Sequence, residues 1–372
     1  MGGDIMKKIF TSFIVALFLI VTNFSGISAM NYEESYQAAQ SYYQKKTTLQ
    51  SSEEVIACEA IGVDSSGKQL AESVIVTDKA SDVSKTIIAL ILHGDNPRDY
   101  QGVDYVEKLE KAIHENGAVY FENEANSFGA NNQVYNVFAL YVLHSDQLTL
   151  TADYLASMID NNGAFGFAGG YADASVTGWA IEALSLVNKT KYQPIIEKAI
   201  TYLSTLQKED ASYDGYGYGA DANTQASILM GLLTYDENGV KSTTYNKGEN
   251  NPYSVLLTFQ NNDGSFWSSF QGEGVEDYFP TVQGIQTIGY YNHGSVYKTA
   301  YQKYQKLLEP KQEEPIPEKE VEKTPVSQKE TKPVRKDKKK VVETADSSDV
   351  LGYLILLGLS LIGIRKGRKS FE

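Results

Sequence analysis

The sequence predicts an all-α fold, an α/α toroid of about six inner and six outer helices. Three observations lead there. Tight-turn dipeptides recur at Asn116-Gly117, Asn162-Gly163, Asp214-Gly215 and Asp263-Gly264, their glycines 46, 52 and 49 residues apart. Asn-Gly and Asp-Gly supply the positive φ such turns need. Each turn is followed by an apolar segment of helical spacing that carries few charges, the pattern of an enclosed helix. Each is also preceded by a second, more polar helix, so a unit of roughly 50 residues repeats along the chain.

Taken in order, residues 35–45 read as an outer helix and 53–61 and 84–92 as inner ones. Outer helices follow at 105–113, 154–159, 195–206 and 253–259. The inner helices between them are 132–143 (Val134, Val137, Phe138, Leu140), 173–184 (Val176, Ala180, Ile181), 221–232 (Ala226, Ile228, Leu229) and 278–290 (Val282, Ile285, Ile288). Asp173 and Asp221 stand where N-caps belong. Residues 296–308 close the series as a last outer helix. Stacked pairs in an open solenoid would bury the same faces; twelve alternating helices in one domain favour closure.

The 372-residue chain has a net charge of −14 and one cysteine. A single cysteine excludes a disulfide framework, and the acidic balance argues against a nucleic-acid partner. The charge is unevenly placed: residues 30–308 carry −17, whereas 350–372 carry +3. Residues 1–29 have the parts of a secretory signal: Lys7-Lys8, an uncharged apolar run and a small residue, Ala29, at the exit. Residues 309–349 are rich in Glu, Lys, Pro and Val, a composition that cannot repay the entropy of folding, and read as an extended disordered stalk. Residues 350–364 are uncharged and apolar. As a helix they would span about 22 Å against a hydrocarbon core of about 30 Å. Arg365, Lys366, Arg368 and Lys369 follow and would stay on the cytoplasmic side.

That tail resembles the sorting signal of Gram-positive surface proteins, which joins a Leu-Pro-any-Thr-Gly pentapeptide to an apolar run and a basic end. Val341-Val342-Glu343-Thr344-Ala345 occupies the pentapeptide position, and only Thr344 matches. The resemblance implies the extracellular face of a Gram-positive envelope, with either a membrane anchor or sortase cleavage after Thr344.

Gln260-Asn261-Asn262-Asp263-Gly264-Ser265-Phe266 resembles the Gln-x3-Gly-x-Trp repeat of squalene and oxidosqualene cyclases, with Phe266 in place of Trp. Tyr202-Leu203-x3-Gln207 keeps its front half, with an insertion before Gly215, and Leu155-x3-Ile159-x3-Gly163-x-Phe165 keeps all but the Gln. The Gln would satisfy backbone groups of the next turn and the aromatic would stack on it. Protein prenyltransferase β subunits share the superfamily. Their zinc motif Asp-x-Cys-Tyr-x-x-Trp is similar to Asp173-Ala174-Ser175-Val176-Thr177-Gly178-Trp179, and their Asp-x-Tyr-His-Thr segment to Asp277-Tyr278-Phe279-Pro280-Thr281. Ser175 and Pro280 replace the Cys and His ligands, so no zinc and no other cofactor is expected. The Asp-x-Asp-Asp acid of squalene cyclases is also missing. The resemblance implies the toroid and argues against the best-known reactions built on it. Vitamin B12 carriers of the intrinsic-factor type use such toroids too, with a second β-rich domain that nothing after residue 308 could form.

Candidate ligand contacts are Asp173 and Asp221 at helix starts, Trp179 and Gln283 on inner helices, and Tyr171, Tyr218 and Tyr278 near helix starts. Tyrosine both stacks on a ligand and offers a hydroxyl. Each also has a plain structural role: capping for the aspartates, core packing for Trp179, loop packing for the tyrosines. Glu122, Glu124, Asp173, Asp221, Glu276 and Asp277 supply enough carboxylates for a glycosidase pair. Cys58 reads as a small apolar core residue, and the four histidines show no metal spacing. The expectation is a non-catalytic binding or adhesion module for a small molecule, glycan or surface ligand. Its rivals are a terpenoid-cyclase-like or carbohydrate-active enzyme on the same fold and a structural spacer. The mass of the mature C-terminus taken from cell envelopes decides how the chain is held. An end at Thr344 means sorting; an intact tail rejects it.

Overall fold

Polar side chains at their N-termini start most of the helices. In the computed structural model, which describes residues 31–309 except 215, 216 and 218, Asn31 and Glu34 form a capping box on α1 (Tyr32–Lys45). Ser51 Oγ accepts from Glu54 N at 3.0 Å at the start of α2 (Ser52–Ala60). Asp104 caps α4 (Tyr105–Glu110), Asp173 caps α7 (Ala174–Leu206), Asp221 caps α8 (Ala222–Lys241) and Asn251 caps α9 (Pro252–Leu257). Each cap satisfies backbone N–H groups that have no partner within the helix. The remaining helices are α3 (Ala80–His93), α5 (Ala130–Val142), α6 (Leu148–Ser157), α10 (Tyr278–His293) and α11 (Val296–Leu308). Two short β pairs complete the framework. β1 (Thr48–Leu49) runs parallel to β2 (Gln69–Leu70), and β3 (Phe165–Phe167) pairs antiparallel with β4 (Tyr171–Asp173).

Two long helices are each two helices joined at a capping residue. Asn188 breaks α7 with φ −165° and ψ 89°, and Asp236 breaks α8 with φ −144° and ψ 72°. Asn188 Oδ1 accepts from Lys191 N at 3.0 Å and Asp236 Oδ1 from Gly239 N at 3.0 Å. The first arms of α7 and α8 lie in the inner layer, and each second arm turns outward.

The apolar helices pack in sequence: α2 on α3, α3 on α5, α5 on α7, α7 on α8, α8 on α10, and α10 back on α2. The order of contacts therefore closes on itself. Their buried faces form one continuous core. Where α7 meets α8, Gly178 faces Ser227 and Gly231, and a Cβ on either glycine would strike the other helix's backbone.

The predominantly helical class is as the sequence predicts, and so are the inner segments to within a few residues. Between α2 and α3, two inner helices in succession, lie β2 and a 3₁₀ turn at Glu72–Val74. The outer series differs at its end. Residues 296–308 do not form a last outer helix. As α11 they contact α2, α3, α5 and α10, lying across the C-terminal ends of the inner helices. Lys303 Nζ meets the carbonyl of Leu92 at 2.5 Å and Glu59 at 2.8 Å. Tyr297 stacks on Phe138 at 4.0 Å, and Tyr301 Oη bonds His144 at 2.9 Å. The amphipathic pattern of α11 fits either place; the sequence carries no mark that separates them.

The third turn of the repeat falls at Lys208–Ala211; Gly215, its sequence candidate, lies outside the described residues. In the repeat, Gly117, Gly163 and Gly264 have φ of 89°, 99° and 95°, and each N–H bonds the carbonyl three residues back. Ala211, with φ 66°, makes the same bond to Lys208. Gln207-x3-Ala211-x-Tyr213 thus overlays Gln260-x3-Gly264-x-Phe266 with no insertion, an alanine standing in the glycine position. Asp-Gly drew attention because it is a strong turn signal, while Asp210-Ala211 is a weak one.

A second device joins every turn to the inner helix that follows. The residue two beyond the turn glycine or alanine donates its N–H to a side chain four residues after the helix N-cap. The pairs are Val119 to Gln133 (3.1 Å), Phe165 to Thr177 (3.0 Å), Tyr213 to Gln225 (3.0 Å) and Phe266 to Thr281 (2.9 Å). All four acceptor residues are fully buried. The expected role of Gln260 is found as well: it donates to the carbonyls of Gly264 and Ser35, tying its turn to α1.

The segments read from sequence as a signal (1–29), a stalk (309–349, beyond Glu309) and an anchor (350–372), together with Thr344, lie outside the described residues. Among the described residues no helix is long and apolar enough to cross a membrane.

The turn glycines give a sharp expectation. A Cβ at Gly264 would overlap the carbonyl of Ala38 on α1 as well as strain a left-handed backbone. Gly264→Ala should cost at least about 2 kcal/mol, whereas Ala211→Gly should be tolerated within about 1 kcal/mol. Urea midpoints of the two variants check this.

Candidate functional site

The N-terminal ends of the six inner helices converge on a cavity of about 690 Å³. From α2 comes Glu53; from α3, Ser81, Asp82 and Lys85, with Lys79 before it; from α5, Asn131, Asn132 and Tyr135. Ser175 and Trp179 come from α7, Asn223 from α8, and Phe279, Pro280 and Gln283 from α10, with the caps Asp173, Asp221 and Asp277 beside them. Phe167 on β3 and Phe270 in the loop before α10 complete the lining. Phe270 is 80% exposed, Phe279 52% and Phe167 46%, so an aromatic rim stands in solvent around an acidic interior.

Charges in the cavity are sorted by side. On α2 and α3, Lys85 Nζ meets Glu53 at 2.8 Å and lies 4.5 Å from the Tyr135 ring centroid. Burial works against both ions. Even so, Lys85 holds the Glu53 carboxyl below its ordinary value, and Tyr135 and Glu53 keep the Lys85 ammonium above its own. Burial pushes the Asp82 carboxyl up. Across the cavity, three consecutive inner helices present aspartates. Asp173 Oδ1 accepts from Val176 N at 2.8 Å, and Asp221 Oδ1 from Thr224 N at 2.9 Å. Asp277 Oδ2 accepts from Ser268 Oγ at 2.5 Å. The Asp221 carboxyl is pushed up by burial, opposed by hydrogen bonds from Thr224 and Asn223 and reinforced by the charge of Asp173.

Of the candidates read from sequence, Asp173, Trp179, Asp221 and Gln283 line this cavity. Trp179 packs 5.7 Å from Tyr135, and Gln283 Oε1 accepts from Asn223 and Ser227. Tyr171 is not part of the lining; at the tip of the β3–β4 hairpin it is 74% exposed. Tyr278 is not part of the lining either; its hydroxyl bonds to Ser51. Tyr218 lies outside the described residues. The carboxylates divide as well. Glu122 is exposed and Glu124 is buried, accepting from the N–H of Ala80 and Phe121. Glu276 accepts from the Tyr42 hydroxyl. Of the six, Asp173, Asp221 and Asp277 reach the cavity.

Sequence reading missed the Glu53–Lys85 pair, Asn131, Tyr135 and the aromatic rim. One signal was available: every lining residue on an inner helix falls in its first two turns, so a register count from each N-cap would have gathered them. Ser175 and Pro280, the two positions that depart from the zinc motif, both line the cavity. Cys58 is a free, fully buried cysteine whose thiol burial pushes up to about 12.

Below the mouth a narrow space of about 20 Å³ continues between Glu53, Tyr135, Trp179 and Gln283 toward Glu182, Phe138 and Tyr297. Ser295 at the start of α11 donates to Glu182 Oε1 at 2.8 Å. α11 thus floors this end.

The chain matches no family model and no curated protein. Among solved structures it is similar to MstE, a type II terpene cyclase from Scytonema, in its apo form. Identity is 14%, with 75% of this chain and 91% of that one covered and a TM-score of 0.44. It is also similar to a variant of that cyclase in complex with geranylgeranyl dihydroxybenzoate (14% identity, 76% and 91% covered, TM-score 0.43). A third is a variant of the same cyclase with merosterolic acid A (14%, 75% and 90%, 0.42). At these identities and scores the likeness assigns neither substrate nor residue roles.

Glu182 gives this end of the molecule a pH signature. Complete burial pushes its carboxyl up to about 8, against hydrogen bonds from Tyr290 and Ser295 that lower it. The folded state then holds a proton that the unfolded state releases near its usual 4.5. Stability is full below that value and falls as pH rises toward 8. The loss is on the order of a few kcal/mol. Glu182→Gln should flatten it, which urea midpoints across the window will read.

Proposed function

We propose that residues 30–308 form an exported α/α toroid that binds a small ligand or glycan in its mouth without transforming it. The stalk 309–349 and the apolar tail 350–372 would hold it at the extracellular face of a Gram-positive envelope, with or without cleavage after Thr344. The observation that carries the binding reading is the cavity of about 690 Å³ at the convergent helix starts. Its size suits a small molecule, and it combines aromatic faces with a few directed polar groups, the usual composition of a ligand site. Phe167, Phe270 and Phe279 leave much of their ring surface in solvent, which a ligand in the mouth would cover. The ring of inner contacts supports the toroid, and α11 across the far ends supports a mouth open on one side.

A second reading rests on Asp221. A buried carboxyl pushed up beside the carboxylate of Asp173 is the kind of pair that divides acid and base roles in carbohydrate-active enzymes.

The test is thermal stability of the full chain in a non-ionic detergent, screened against glycans, isoprenoids and corrinoids. A ligand at a hundredfold its Kd should add about 2.7 kcal/mol, and Trp179→Ala should remove the shift. If no class moves the midpoint, the binding reading fails. Turnover of a stabilising glycan, lost in Asp221→Asn, would favour the enzyme.

A further inference from the structure

The cavity also restricts the chemistry of what it holds, and this inference rests on the binding reading above. Helix N-termini ordinarily attract anions through their free N–H groups. At two of the helix starts around the cavity that capacity is taken up. The N–H of Val176 is taken by Asp173 and that of Thr224 by Asp221. An anion approaching these helix starts meets carboxylates instead of donors.

The charge count agrees. Five carboxylates line the cavity against two lysines, and one of those, Lys85, is already paired with Glu53. Asp173, Asp221 and Asp277 occupy the opposite side, on consecutive inner helices. An occupant that complements this lining brings positive charge and donors for the carboxylates. The aromatic faces of Tyr135, Trp179 and the rim suit the same group, because a ring quadrupole attracts an organic cation.

We propose that the ligand carries protonated amino groups on a ring or apolar body, seated between the aspartates of α7, α8 and α10 and the aromatic faces. An amino sugar has this chemistry; its N-acetylated counterpart has the same rings without the charge.

The matched pair provides the experiment. Binding of a glucosamine hexamer and an N-acetylglucosamine hexamer to the full chain is measured by calorimetry at about pH 6, where the free amines are largely protonated. The amino form should bind at least about tenfold tighter. Asp221→Asn with Asp277→Asn should cost about tenfold, with folding preserved because an asparagine amide oxygen can still accept from Thr224 N and from the Ser268 hydroxyl. Glu107→Gln with Glu237→Gln removes the same charge far from the cavity and should leave affinity unchanged. Calcium alone, at matched ionic strength, should not raise the thermal midpoint.

Equal or tighter binding of the N-acetylated form overturns the proposal and leaves a glycan-binding reading intact. An equal loss in both double variants overturns it too, as an effect of bulk charge. A calcium shift as large as that of the amine would assign the aspartates to a metal ion instead. If neither hexamer binds, the amine proposal falls, and whether the broader reading falls with it is decided by the separate ligand screen.

Discussion

The arrangement depends on one seam, where the last repeat meets α1. A linear run of helix pairs becomes a ring only if its final unit finds the first. Here the turn at Gly264 lies against the carbonyl of Ala38, Gln260 reaches the carbonyl of Ser35 at 3.1 Å, and α10 packs on α2. Aromatic rings fill the same joint: Tyr253 stacks on Tyr291 at 4.0 Å, and Tyr32 sits edge-on to both. The contact is built from the same parts as the contacts between neighbouring repeats. Gly117 lies against the carbonyl of Leu150 on α6, and Gly163 against that of Lys198 in the outer arm of α7. Closure is the ordinary repeat interface applied once more, so the six inner N-termini come together without any dedicated closing element.

The repeat also explains why the cavity is acidic. A helix start needs a side chain that accepts from its free N–H groups, and aspartate does this well. The second link of each unit, from turn N–H to the fourth residue after the cap, fixes how each inner helix is rotated. Thr177, Gln225 and Thr281 therefore face the core, and Asp173, Asp221 and Asp277 face the mouth. Asp173 and Asp221 cap their helices and line the cavity at once, so a structural role at these positions does not compete with a place in the cavity wall.

Much of the helical framework was legible because its signals are local. Apolar spacing marked the inner helices, and Asp173 and Asp221 marked their starts to the residue. The errors share a cause: they concern what local chemistry does not encode. Ala211 adopts a left-handed turn because the structure around it demands one, so a search for glycine passed over it to Asp214-Gly215. The pattern of α11 fits any groove that accepts an apolar stripe. Tyr171 and Tyr278 lie near helix starts in sequence, but a hairpin tip and a bond to Ser51 leave them out of the cavity lining. Phe270 and Phe279 carry no charge or turn signal, and only the folded ring shows that they surround the mouth.

α11 has a further consequence. Among the described residues, Tyr297 and Ser295 cover one end of the chamber. A molecule held in a well open at one end would enter and leave past the same lip, at Phe167, Phe270 and Phe279. A change that only narrows this lip would slow both rates together, whereas one that also removes an aromatic contact would shift occupancy as well.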